Sequence, residues 1–119
     1  MAITTLHHET TQKLIEYMRN ALVSELGISD TIIAEKQVVD SINFDIHMIH
    51  DVNGHHYIER ITQIVSQDDT DGVTGPKAYS LEDVIVFDKS LRCYRICGKL
   101  RGKAAALIGE NWYEGCNDL

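Results

Sequence analysis

The chain of 119 residues has a single proline and few aromatic residues, and no run of apolar residues approaches the length of a membrane span. A transmembrane helix needs about 18 or more consecutive apolar residues, so membrane insertion is not expected. Nothing at the start has the form of a signal peptide, and the expected location is the cytoplasm, with room for a peripheral place at the inner face of the cell membrane. Basic charge is also scarce. Eleven Lys and Arg against 18 Asp and Glu leave a net charge of −7. That balance argues against nonspecific contact with nucleic acid or with an anionic lipid surface, since both need a basic face.

Cysteine is limited to Cys93, Cys97 and Cys116, an odd number. Cys93 and Cys97 fall in a strand-like stretch, where a separation of four residues places their Cα atoms ~13 Å apart. A disulfide needs about 7 Å or less. A C-x₃-C pair on an extended strand does not converge on a tetrahedral zinc either. The thiols are read as buried structural groups.

What is present is organised around residues 40–65. From Ser41 the chain alternates, with Ile42, Phe44, Ile46 and Met48 on one side and Ser41, Asn43, Asp45 and His47 on the other. A period of two is the signature of a half-buried strand. Asn53-Gly54 then supplies two residues that tolerate positive φ, as a two-residue hairpin turn requires. With that turn Ile46 faces Ile61 and Ile49 faces Ile58, while Asp45 and His47 share a polar face with Thr62 and Arg60. Glu59 and Gln63 then land beside Met48 and Phe44, a mismatch that a bulge or a slipped register relieves. Arg60 and Glu59 are read as part of a solvated strand face.

Ahead of the hairpin, residues 3–6 form a short β-prone run ending in His7-His8. Residues 10–26 turn helical, with Leu14, Met18, Ala21, Leu22 and Leu26 at spacings of three and four and Ile15 widening the stripe. Glu9 or Thr10 caps the start and Gly27 stops it. Ser29-Asp30 opens a second, short helix through Glu35 or Lys36. Beyond the hairpin, residues 66–77 form a polar loop. Residues 79–87 read as a third strand with Val84 to Phe87 buried on both faces, and residues 91–100 as a fourth. A helical tail from Lys103 to Tyr113 docks through Leu107, Ile108 and Trp112, with Trp112 and Tyr113 as anchors. The expected fold is α+β in one domain spanning 1–119: an N-terminal strand, a long amphipathic helix, an antiparallel hairpin or meander of about four strands, and a short C-terminal helix.

Several chemical readings fail on spacing. Asp68, Asp69 and Asp71 invite a calcium loop, but Tyr79 stands where the twelfth-position glutamate belongs. Residues 98–103 superficially resemble a phosphate-binding loop, yet three residues rather than four separate Gly98 from Gly102, and Ala104 follows Lys103 where a hydroxyl must hold Mg²⁺. His47 and His50 leave opposite faces of a strand, and neither His7-His8 nor His55-His56 has the i, i+2 spacing that converges on an ion. No metal site is expected.

Residues 39–87 carry a resemblance. VDSINFDIHMIH, DVNGHHYIERITQI and AYSLEDVIVF occur in the order and at the distances seen in the C-terminal part of the type II/IV secretion ATPases, the CpaF-like enzymes of pilus assembly and conjugation. There the pattern is "vDxIvhi", "d.nG.RyIerItEI" and "Y.l.diivf". Thr4-Thr5-Leu6-His7 is similar to the family's "TLHAN" segment, whose histidine ends a core strand of the RecA-like domain beside the nucleotide and is called the His box. The match runs from about Ile3 to Cys97. It departs at Glu9, where the family has Asn, at His56, where it has Arg, and at Gln63, where it has Glu.

The resemblance implies that this chain is the C-terminal portion of a RecA-like ATPase domain, with His7 in the His-box position, near the nucleotide in the parent enzyme. ATP and Mg²⁺ are the parent's cofactors, and the motifs that hold them lie upstream of the His box, so none is expected to be held by this chain. The implied partners are parent ATPase subunits, a second copy of the chain through self-association, or secretion-system platform proteins. A free-standing protein-binding module derived from the same family is the alternative. Residues 3–6, as a strand lacking its parallel neighbours, are expected to join the hairpin sheet or to pair between chains.

Overall fold

Thr10 caps the first helix, its hydroxyl accepting from the Lys13 amide at 3.2 Å. Helix α1 (Thr11–Glu25) ends where Gly27 turns with φ +69°, a left-handed conformation that glycine adopts without strain. Asp30 caps α2 (Thr31–Ser41) through the amides of Ile32 and Ile33. Four strands come next, β1 (Phe44–His50), β2 (His56–Ser66), β3 (Tyr79–Asp88) and β4 (Cys93–Ile96), then a short α3 (Gly102–Ile108). The strands form one antiparallel meander in the order β1-β2-β3-β4. This α+β arrangement comes from a computed structural model that describes residues 3–66 and 79–108, the side chain of Leu107 excepted. The acidic loop with Asp68, Asp69 and Asp71, and the tail with Trp112, Tyr113 and Cys116, lie outside the described residues.

Helices α1 and α2 cover one face of the sheet. Ile15 of α1, Val38 and Val39 of α2, and Ile64 of β2 form a buried cluster, with Met18, Leu22, Ile42, Tyr79 and Leu81 packed around it. An Arg19–Glu35 ion pair at 3.0 Å ties the two helices. The opposite face is covered only at one end among the described residues, where Val84, Leu100 and Ala104 pack with Phe44 and Ile85.

The second helix runs farther than its sequence suggests, because Ala34, Val38 and Val39 are all buried at helical spacing. Burial against Ile15 and Ile64 outweighs the strand preference of two adjacent valines. The strand therefore begins at Phe44 rather than Ser41. Leu26 is 69% exposed and drops off the buried stripe of α1, which centres on Thr11 and Ile15. Of Val84 to Phe87 only Val84 is fully buried, since the face beyond Leu100 has no cover among the described residues.

The hairpin closes through a three-residue loop. Asp51 N–H donates to the His55 carbonyl at 2.9 Å, and Gly54, at φ +82°, donates back to the Asp51 carbonyl. The longer loop shifts the pairing by one, so Ile49 meets Tyr57 and Met48 meets Ile58. A bulge between His47 and Met48 then restores the register, leaving Ile46 opposite Ile61 and Asp45 opposite Thr62. Two deviations from the simple hairpin cancel.

Residues 3–8 are not a strand. Thr11 and the Glu9 carbonyl tie the chain to Asp45 and Arg60 on the helix-covered face of the sheet, whereas strand addition needs a sheet edge. Thr4 and Leu6 instead line a groove beside α1 and α2. Cys93 and Cys97 are exposed rather than buried, because β4 is an edge strand with all four residues exposed.

Candidate functional site

His7, the candidate taken from the resemblance, is exposed and, among the described residues, makes no hydrogen bond or ion pair. Its neighbour His8 rests against Tyr17, ring centroids 4.8 Å apart. Just before them, the groove of about 480 Å³ is lined mainly by Leu6, Tyr17, Met18, Leu22, Leu26 and Val38. Thr4, Glu25, Gln37 and Ser41 add polar groups to its otherwise apolar walls.

A polar cluster lies where α1 starts over the sheet. Thr11 Oγ1 donates to Asp45 Oδ2 at 2.6 Å, and Arg60 Nη2 stands 3.8 Å from the same oxygen. Arg60 also donates to the Glu9 carbonyl at 3.3 Å. Its side chain is only 18% exposed, so it is not on a solvated strand face. His47 Nε2 is 3.4 Å from Glu59 Oε2, the residue freed by the bulge. The sequence pattern brought Asp45, His47, Arg60 and Thr62 to one face, and the structure places them there. Each has a partner, and the arrangement fastens the helix start to the sheet.

At the hairpin tip His50 and His56 face each other across the strands, ring centroids 5.4 Å apart. His55 Nδ1 is 3.4 Å from Asp51 Oδ2. Among the described residues no group of three or more His, Cys, Asp or Glu is arranged to hold a metal ion. The Asp51 carboxyl is held below its ordinary value by the His55 backbone N–H and then by that of Asn53, and Asp88 is lowered in the same way by the Ser90 hydroxyl and the Leu91 amide. A carboxyl lowered by folding contributes above its ordinary value of 3.8, and the contribution is lost as pH falls through the folded value. In Asp51→Ala the His55 and Asn53 amides are therefore expected to exchange faster with deuterium at neutral pH. Acid should bring the wild-type protection factors, corrected for the intrinsic pH dependence of exchange, down to those of the variant, and unchanged protection factors in both cases would contradict this.

The stretch that mimics a phosphate loop has another purpose. A Cβ on Gly98 would sit 2.7 Å from the Asp83 carbonyl oxygen, so the glycine is required by close approach to β3. Gln63, fully buried, clamps the backbone of residues 99–101. Its Nε2 donates to the Lys99 carbonyl at 2.7 Å and its Oε1 accepts from the Arg101 amide at 3.0 Å. Sequence reasoning flagged Gln63 as misplaced beside Phe44 and as standing where the resembling family has Glu, but not as a clamp. A polar residue inside an apolar alternation, bearing both a donor and an acceptor, was the signal.

Comparison with known protein families, curated proteins and solved structures gives no match. Among the described residues no helix is long and apolar enough to cross a membrane.

Proposed function

We propose that this chain is the C-terminal segment of a type II/IV secretion, pilus-assembly or conjugation ATPase, and that it acts in the cytoplasm through contacts with other subunits or with secretion-system platform proteins. The observation that carries the reading is the ordered set of three sequence stretches, Thr5-Leu6-His7, the hairpin over residues 44–66, and the strand that starts at Tyr79. Their joining in one packed unit supports it. Thr11 and Glu9, close after the His-box position, bond to Asp45 and Arg60 of the hairpin, and Ile64 and Leu81 share one cluster. In this reading the fold is the C-terminal portion of a RecA-like domain. Phosphoryl transfer requires amides and a lysine around the phosphates with Mg²⁺ neutralising charge. The sequence contains no G-x₄-G-K-[ST] loop, so the chain alone does not hydrolyse ATP.

Mixing tests the positive side of this reading. A CpaF-like ATPase truncated before its own His box supplies the phosphate loop and acidic boxes. It is expected to bind this chain and to gain ATP hydrolysis. His7→Ala should keep the complex and remove most of the gain, roughly a hundredfold if the imidazole meets developing phosphate charge. Absence of any complex would contradict the proposal.

Gln63 favours a second reading, a free-standing binding module derived from the same family. Where the family pattern has an acid, this chain buries an amide that serves its own residues 99–101. In that case the chain binds protein partners without restoring hydrolysis.

A further inference from the structure

On the sheet face opposite α1 and α2, Leu100 and Ala104 reach Phe44 and part of Ile85, and apolar side chains continue beyond them to both edges of the sheet. There Ile46 pairs with Ile61, Ile61 with Ile85, and Ile85 with Ile96, a row of isoleucines crossing all four strands. Beside it Phe87 pairs with Tyr94, ring centroids 5.1 Å apart, and Met48 extends the patch along β1. Ile46 is 54% exposed, Met48 57%, Tyr94 50% and Ile96 56%, so both ends of the row are open. Charge is diverted from this face. Asp45 and Arg60 pair under α1, and the bulge leaves Glu59 beside His47.

We infer that this face is the interface between two copies of the chain, stacked sheet on sheet about a two-fold axis through the isoleucine row. In naming the partner the inference rests on the contact-forming reading above. Three observations select a second copy. First, the row is its own complement: a two-fold axis normal to the row and lying between the sheets lays isoleucine on isoleucine, the isologous case. Second, the half-exposed Ile46, Met48, Tyr94 and Ile96, with smaller parts of Ile61, Ile85 and Phe87, give roughly 500 Å² per copy, short of the ~800 Å² that each partner gives to an ordinary interface and in keeping with a weak dimer. The largest apolar patch on a single chain is often functional. Third, the chain carries a net charge of −7, and a cationic partner would call for carboxylates on the face, whereas the isoleucine row has none. Two acidic copies approach best through their uncharged faces, and salt relieves the residual repulsion.

Sedimentation of the full chain from about 1 to about 200 µM tests it, spanning the micromolar affinity expected of a small apolar interface. The expected result is a monomer–dimer equilibrium that tightens as salt rises from about 50 to about 500 mM. Ile46→Lys and Ile96→Lys are each expected to weaken it about tenfold or more, with the circular dichroism spectrum unchanged because both positions are more than half exposed. Leu26→Lys, on an exposed apolar position of the helix layer, should leave it unchanged. A monomer at every concentration overturns the inference, as does a dimer indifferent to both sheet lysines. Either outcome leaves the ATPase ancestry to the mixing experiment, which reads complex formation and hydrolysis rather than self-association.

Discussion

Replacing Gln63 by glutamate is expected to lower the unfolding free energy at neutral pH by about 3 kcal/mol and to cost much less below about pH 4. The two side chains have the same shape, so packing is held constant. The change is one of hydrogen-bond roles. Gln63 donates to the Lys99 carbonyl and accepts from the Arg101 amide, and it has no exposed surface. A carboxylate accepts only, so it would confront the Lys99 carbonyl and the Glu82 carboxylate, whose Oε1 lies 3.4 Å from the present amide nitrogen. Burial and that neighbour both raise the new acid's pKa in the folded state. A raised folded value means the deficit is absent below the unfolded value and grows as pH rises towards the folded one. Protonated, the acid can again donate to Lys99 and accept from Arg101. Urea titrations of both proteins across pH read the difference directly. An equal deficit at acid and neutral pH would show that shape, not donor loss, is responsible.

Ile64→Ala is expected to cost about 3 kcal/mol, a large share of the ~5–15 kcal/mol that stabilises a typical domain. Ile64 is 1% exposed and meets Ile15, Val38 and Val39, so its removal opens a cavity between the sheet and both helices. Rigid β-branched neighbours collapse poorly into such a space. Leu26→Ala, at 69% exposure, should change stability by less than about 0.5 kcal/mol. Equal midpoints for the two variants in urea would mean that the helices do not pack on Ile64 as described.

The alternation over residues 44–50 and the Asn53-Gly54 pair made the hairpin legible, as the stripe around Ile15 made α1 legible. The pairs Ile46–Ile61 and His47–Arg60 are both readable from the alternation, although the turn is one residue longer than the sequence suggests. The bulge at Glu59 compensates. Both Glu59 beside Met48 and Gln63 beside Phe44 hinted at an irregularity, and the bulge relieves only the first. The end of α2 was hidden because valine prefers strands locally while its burial here is tertiary. Residues 3–6 have strand character by composition, yet Thr4 and Leu6 lie beside α1 and α2 rather than along β1 or β4, the sheet's edges, and composition carries no information about that placement. The candidate site was legible in a different way. His7 is singled out by resemblance alone, since among the described residues nothing partners it in a way that would mark it. Gln63 and the open isoleucine row emerge only when the register and the position of residues 97–108 are known.

In the function proposed above, this chain works through contacts and carries no nucleotide site of its own. Calorimetric titration of the 119-residue chain with ATP and Mg²⁺ tests it most directly. The expected result is no binding heat up to about 1 mM nucleotide, because the sequence contains no G-x₄-G-K-[ST] loop. Binding at about micromolar affinity would contradict the account, since the His7 end or another surface would then hold nucleotide without a phosphate loop.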